Sequence, residues 1–210
     1  MLIENSEALI IDPLLDESAL HLLIDKKVNN ITILPTHEHY DHISGINALK
    51  KAYECKVIAS EQCATNMMNP IRNASAHFEA LFIFCDDEIR ANIRSQNIQP
   101  YKAYADEVFT VYKSFIWNDH KIEIKETPGH SKGSVCIIID EFFFFTGDSL
   151  IKGRPTITRL PGGSKEDYVK YTLPFLSNLP RQSIIFPGHG EFGYIHEFSD
   201  SLGFQIMRCK

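Results

Sequence analysis

Short apolar runs and amphipathic stretches alternate along almost the whole chain. β-Branched or alternating segments near 7–12, 31–35, 56–59, 121–127, 134–139, 142–146 and 183–187 predict strands. Helical patterns lie between them. Residues 17–27 carry Leu20, Leu23 and Ile24 on one face, 44–53 carry Ile46, Leu49 and Tyr53, and Ser164 with Asp167 resembles a capping box opening a helix to about 178. The most apolar region, Val135 to Phe145, is divided by Asp140-Glu141 and reads as a hairpin of two core strands. Strands alternating with surface helices suit two sheets packed face to face with helices outside.

The run Ile31-Thr32-Ile33-Leu34-Pro35 reads as a buried strand, and it leads directly into His37-Glu38-His39-Tyr40-Asp41-His42. Three imidazoles and a carboxylate in so short a loop point to metal. More donors follow in similar settings. His130 sits in Thr127-Pro128-Gly129-His130-Ser131, Asp148 in Phe145-Thr146-Gly147-Asp148-Ser149, and His189 in Phe186-Pro187-Gly188-His189-Gly190. Each follows a hydrophobic or alternating run and is preceded by Gly, which lets the backbone turn sharply at a strand end.

These blocks resemble the metallo-β-lactamase-fold hydrolases, most closely their glyoxalase II-like branch, whose signature is Thr-His-x-His-x-Asp-His followed by Pro-Gly-His, Gly-Asp and Gly-His. The resemblance covers Ile10-Ile11-Asp12-Pro13, 36–45, 127–134, 145–150, Leu160-Pro161-Gly162-Gly163 and 187–191. Spacing agrees as well: 88 positions from His42 to His130, 18 more to Asp148 and 41 more to His189. It implies an α/β (α+β) fold, an αββα sandwich of two mixed sheets, with residues 1–210 forming one domain. It also implies one metal held by His37, His39 and His130, a second held by Asp41, His42 and His189, and Asp148 bridging them. The implied enzyme is a hydrolase of a thioester or other small acyl ester, with Asp41 and Asp148 as catalytic carboxylates around a bridging hydroxide. Imidazole and carboxylate donors suit zinc best, and also iron or manganese. The lack of a Cys among them sets the chain apart from antibiotic-hydrolysing members that use a cysteine ligand.

Two cations roughly 3.5–4 Å apart lower the pKa of a shared water towards neutrality and polarise a substrate oxygen, so no protein nucleophile is required. Ser44, Ser131 and Ser149 read as turn residues or supports for the imidazoles, not as nucleophiles. A zinc-protease reading of His37-Glu38 fails on spacing, because the position four residues on is Asp41. Glu38 is then expected to be a solvated loop residue. His21, His77 and His120 read as surface or satisfied core residues, while His196 lies near the His189 loop.

Composition fits a compact domain. With 210 residues, 44% hydrophobic and 23% charged, the chain has enough apolar material for a full core. A net charge of −6 weighs against nucleic acid as a partner, and Lys50-Lys51 and Arg90 to Arg94 are too sparse for a basic patch. The five cysteines, Cys55, Cys63, Cys85, Cys136 and Cys209, form no Cys-x-x-Cys pair and are odd in number, so no disulfide framework is expected. Glu4 and Glu7 replace the basic stretch of a secretory signal, and no run is long enough to span a membrane. The expectation is a cytoplasmic protein with a small-molecule substrate.

Residues 61–118 match the family least and are expected to form a divergent helical or loop insertion, with 75–99 mostly helical. In this fold such a segment tends to lie over the cleft, so Phe82, Tyr101 and Tyr104 are candidates for an apolar substrate pocket. Three departures bear on glutathione. The chain ends soon after the His189 block, where glyoxalase II has a glutathione-gripping helical domain. Relatives often carry Gly-Arg-x-Asp where this chain has Thr156-Ile157-Thr158-Arg159, and the first strand is short. Two alternatives stay open: a mononuclear iron enzyme resembling the persulfide dioxygenases, and a non-catalytic binding protein, against which the intact donor blocks argue.

Overall fold

A computed structural model describes residues 1–14, 17–79, 85–95 and 99–207. The first sheet runs in the order β1 (Leu2–Glu4), β2 (Glu7–Ile11), β3 (Asn30–Leu34), β4 (Glu54–Ser60) and β5 (Glu107–Phe109). Its β1–β2 pair is antiparallel and the rest are parallel. The second sheet contains β6 (Tyr112–Trp117), β7 (His120–Glu126), β8 (Val135–Ile139), β9 (Phe143–Gly147), β10 (Ile184–Pro187) and β11 (Gly193–Tyr194), in the order β11-β10-β9-β8-β7-β6. Only β9 and β10 are parallel there.

The period-two alternation of strand side chains sorts these residues into three cores. Ala8 and Ile10, Ile31 and Ile33, and Val57 and Ala59 point away from the second sheet. They meet Leu23 of α1 (Glu17–Asp25), Ile43 of α2 (Tyr40–Ile43), Ile46 and Leu49 of α3 (Ile46–Ala52), and Cys63 and Met67 of α4 (Glu61–Met67). The intervening Leu9, Leu34 and Ile58 face Ile122, Ile124, Val135, Ile137 and Ile139 between the sheets. Cys136, Phe144 and Ile185 look outward onto Tyr168, Leu173, Leu176 and Phe198. These come from α6 (Lys165–Asp167), which runs through a π-helical stretch (Tyr168–Thr172) into α7 (Leu173–Ser177), and from a 3₁₀ turn (Ile195–Phe198) before a terminal helix (Ser199–Met207). Each fully buried Leu or Ile contributes about 1.5–3 kcal/mol relative to exposure. The result is an αββα sandwich. Among the described residues no helix is long and apolar enough to cross a membrane.

The expected β8–β9 hairpin is present. Asp140 (φ 53°) and Glu141 (φ 60°) form a left-handed turn closed by Phe142 N donating to Ile139 O at 3.2 Å. The expected insertion at 61–118 is narrower than its sequence divergence implies, because α4 contributes to the first core and β5 and β6 are sheet edges. Within 75–99 the described helix is confined to α5 (Asp87–Ser95), and the 69–79 stretch forms turns.

Candidate metal centre

Strands β2 and β3 of one sheet and β7, β9 and β10 of the other end at the same edge of the sandwich. The loops leaving them carry the donors. Asp12 follows β2, residues 36–42 follow β3, residues 127–131 follow β7, Asp148 follows β9, and Gly188-His189 follow β10. Val135 N donating to Thr36 O (2.8 Å) ties the sheets together there, and Gly188 N donating to Gly147 O (2.9 Å) ties β10 to β9. All seven expected donors converge. Donor atoms group within 4.8 Å as His37, His39 and His130; as His37, His42 and Asp148; and as Asp41, His42 and His189.

Hydrogen bonding fixes which nitrogen each ring leaves free. His42 Nδ1 donates to Asp12 Oδ2 (2.8 Å), which also accepts Thr36 Oγ1 (2.7 Å), while Asp12 Oδ1 accepts Thr36 N (2.6 Å). Since the Thr36 proton goes to Asp12, its oxygen accepts from His37 Nδ1 at 3.1 Å. His130 Nδ1 donates to Ile157 O at 2.8 Å. His37 Nε2 and His130 Nε2 are therefore lone pairs, and each lies 3.0 Å from His39 Nδ1. His39 Nδ1 carries one proton at most, so at most one of those contacts is a hydrogen bond, and with that proton on Nε2 all three nitrogens face one another as lone pairs, which a cation would relieve. His39 Nε2, His42 Nε2 and Asp148 Oδ1 are also buried without a hydrogen-bond partner. Unpaired buried polar atoms are costly, so the residues fit a bound metal.

Burial holds His37 well below its usual pKa, and it takes His39 to about 3 and His130 to about 4, so these three stay neutral. Burial opposes charge on His42 too, but the Asp12 carboxylate overrides it and carries that ring to about 9. Asp41 falls to about 2 against the burial effect, through its hydrogen bond with His189 and the His42 charge, and that hydrogen bond raises His189. Burial raises Asp148. Its Oδ2 lies 3.6 Å from His130 Nε2 and 3.7 Å from His189 Nε2, and its Oδ1 lies 3.6 Å from His42 Nε2.

Glu38 overturns the solvated-loop expectation. It is fully buried, with Oε1 accepting from Asn66 Nδ2 (2.7 Å) and Oε2 from Ser131 Oγ (2.9 Å), so it ties the His37–His42 loop to α4 and to the His130 loop. Its pKa is raised by burial despite those donors. The pocket guesses also need correction. The cleft of about 420 Å³ beside the donors is walled by Tyr40, Ala74, Ile151, Arg154, Pro155, Ile157, Arg159 and Leu160. Tyr101 packs on the first core and its hydroxyl donates to Tyr40 O, while Tyr104 is exposed and does not line the cleft. Phe82 lies outside the described residues. His120 is held by Asp140 and Glu4, and His21, His77 and His196 are exposed.

A profile of the metallo-beta-lactamase superfamily matches residues 1–189. The chain belongs to that superfamily. It is similar to a probable metallo-hydrolase of Streptococcus pyogenes, with 29% identity over 76% of this chain and 64% of that one. It is also similar to hydroxyacylglutathione hydrolase of Haemophilus ducreyi, with 23% identity over 89% of this chain and 62% of that one. The chain thus spans less than two thirds of either relative. Among solved structures, the BLEG-1 B3 metallo-beta-lactamase superposes with a TM-score of 0.76 at 26% identity, covering 98% of this chain and 91% of that one. Superfamily membership and the His/Asp cluster together point to an enzyme that uses divalent metal ions.

Sequence reasoning overlooked the roles of Asp12, Thr36, Asn66, Arg154 and Arg159. The first two lie in blocks that match the family, and Arg159 lies in the segment that departs from Gly-Arg-x-Asp. Asn66 carries no sequence signal.

Proposed function

We propose that this chain is a hydrolase working with two divalent metal ions, zinc by preference, on a thioester or other small acyl ester. The observation that carries the reading is the double reach of Asp148, within 3.7 Å of His130 on one side and of His42 and His189 on the other. In this reading His37, His39 and His130 hold one ion, Asp41, His42 and His189 hold the second, and Asp148 serves both. His37 belongs with the first because its Nε2 lies 3.0 Å from His39 Nδ1. When bound, such a pair polarises an acyl oxygen and makes a water nucleophilic near neutral pH.

The protein's own work is positional. Asp12, Thr36 and the Ile157 carbonyl keep protons on the Nδ1 atoms, so that His42, His37 and His130 each present Nε2 to the centre. Among the described residues no Ser or Cys lines the cleft, which suits a mechanism without a protein nucleophile. The hydroxyacylglutathione hydrolase among the relatives supports a thioester as the bond broken. The reading takes a small-molecule substrate and a reduced, cytoplasmic setting, in which the unpaired Cys55, Cys63, Cys85 and Cys136 stay thiols.

The test is metal analysis of protein expressed without added metal, with thioester hydrolysis and persulfide-dependent oxygen uptake measured on wild type and His189→Ala. Wild type should hold two ions. The variant should hold about one and lose thioester turnover by a factor on the order of 10²–10³. A wild type that consumes oxygen, cleaves no thioester and keeps its rate in the variant would replace this reading with the single-iron oxygenase.

A further inference from the structure

We propose that the cleft selects substrates carrying a carboxylate, which Arg154 and Arg159 hold while the scissile acyl group lies at the metal centre. The proposal rests on the hydrolase reading above. Both arginines wall the same cleft as His39, Asp41, Asp148 and His189. Both are exposed, and among the described residues neither meets a carboxylate, although the chain has 27 acidic residues against 21 basic ones. Arg90 and Arg94, by contrast, each pair with an acid. The carboxylates of the cleft cannot neutralise them, because Asp41 faces His189 and His42, and Asp148 faces His42, His130 and His189.

The loop that presents the arginines is anchored to the centre. Ile157 O accepts from His130 Nδ1 (2.8 Å), Thr156 Oγ1 donates to Ser149 O (2.9 Å), and Ser164 N donates to Gly129 O (2.8 Å). Gly163 closes the loop so tightly that a Cβ there would meet the Thr158 carbonyl and lie 3.0 Å from His130 O. The backbone bearing both guanidinium groups is therefore fixed relative to a donor of the metal centre. Ile151, Pro155 and Leu160 add apolar wall to the same cleft. In such surroundings an Arg–carboxylate pair is stronger than in open water, and its planar fork can bind both oxygens.

The probes are glutarate and butyrate on metal-loaded protein. Each offers one carboxylate to the metals, and only glutarate has a second for the arginines. Calorimetric titration of wild type should show glutarate binding about tenfold tighter, a preference that disappears in the Arg154→Gln/Arg159→Gln double variant and persists in Arg181→Gln, an exposed arginine outside the cleft. A wild type without the preference, or a double variant that keeps it, overturns the proposal.

Three thioesters then locate the charge. S-acetyl-N-acetylcysteamine is neutral, S-adipoyl-N-acetylcysteamine carries a carboxylate on the acyl side, and S-acetyl-3-mercaptopropionate carries one on the thiol side. The arm whose kcat/KM exceeds that of the neutral compound about tenfold, and loses that advantage in the double variant, identifies the side. If neither charged thioester gains over the neutral one, selection by charge is refuted even though hydrolysis proceeds. If glutarate behaves as expected and no thioester is cleaved, the anion site stands and the hydrolase reading falls.

Discussion

Gly188→Ala is the sharpest test of the centre's geometry, because it adds one methyl group and no charge. A Cβ at Gly188 would fall inside contact distance of Asp148 Oδ1, 2.7 Å from His42 Cε1 and 3.1 Å from Gly147 C. Reaching ordinary contact requires Asp148 to retreat by roughly 1 Å and His42 by somewhat less. The backbone cannot yield instead, since Gly188 N donates to Gly147 O at 2.9 Å beside the Pro187–Gly147 register of the β9–β10 pair. Overpacking of this kind costs about 1–3 kcal/mol. For a chain of this length that is a fall in Tm of about 2–12 °C. Displacing a reacting group by ~1 Å costs activity on the order of 100-fold. The measurements are metal content by mass spectrometry, thioester turnover and a thermal melt. Gly203→Ala serves as the control, because a Cβ there meets nothing within 4 Å and its helical setting favours Ala over Gly. A folded Gly188→Ala protein that holds two ions and turns over at the wild-type rate would refute the claim that Asp148 and His42 act from these positions.

Asp148→Ala should abolish turnover and reduce the metal content from two ions to at most one, so near-normal activity would show that this carboxylate is not shared. Glu38→Ala leaves Asn66 Nδ2 and Ser131 Oγ without their buried acceptor. The expected loss is about 2–4 kcal/mol, and urea denaturation showing under 1 kcal/mol would contradict it. His120 gains stability through its hydrogen bonds to Asp140 Oδ2 (2.6 Å) and Glu4 Oε1 (3.1 Å), which raise its pKa. A raised folded pKa stabilises fully below the unfolded value of about 6.5 and the effect fades as pH climbs through the folded one. The Tm gap between wild type and His120→Gln should therefore be wider at pH 6 than at pH 9, and a gap that widens with pH would reverse the assignment.

What could be read from the sequence followed from how local each signal is. Strands that alternate or form a continuous apolar run, such as β3 in the first case and β8 and β9 in the second, are visible because one segment contains the whole pattern. β1, β5 and β11 have three, three and two residues, too few for any period. β6 alternates clearly, with Tyr112, Ser114 and Ile116 outward, but it falls within the 61–118 segment expected to be a divergent insertion, so it was not read as an edge strand. The seven residues that converge on the candidate centre were legible because four sit in one loop and the rest recur after Gly. Glu38 was misread because its partners lie 28 and 93 positions away. Tyr101 was misassigned for a related reason: its hydroxyl serves the Tyr40 carbonyl across 61 positions, which no local pattern reports.

The same long-range bonds determine how the centre relates to the fold. Asp12, at the end of β2, accepts from both the backbone and the hydroxyl of Thr36 and from His42, so one carboxylate orients the His37 and His42 rings together. His130 is set independently by Ile157, and Glu38 joins α4 to the loops of both sheets. These bonds are made by the protein's own groups, and the three apolar cores hold the strands from which the donor loops leave. Substitutions in the cores should therefore reduce stability first, whereas substitutions at Gly188 or Asp148 should reduce metal occupancy first. This separation makes the metal-centred tests interpretable in a protein that remains folded.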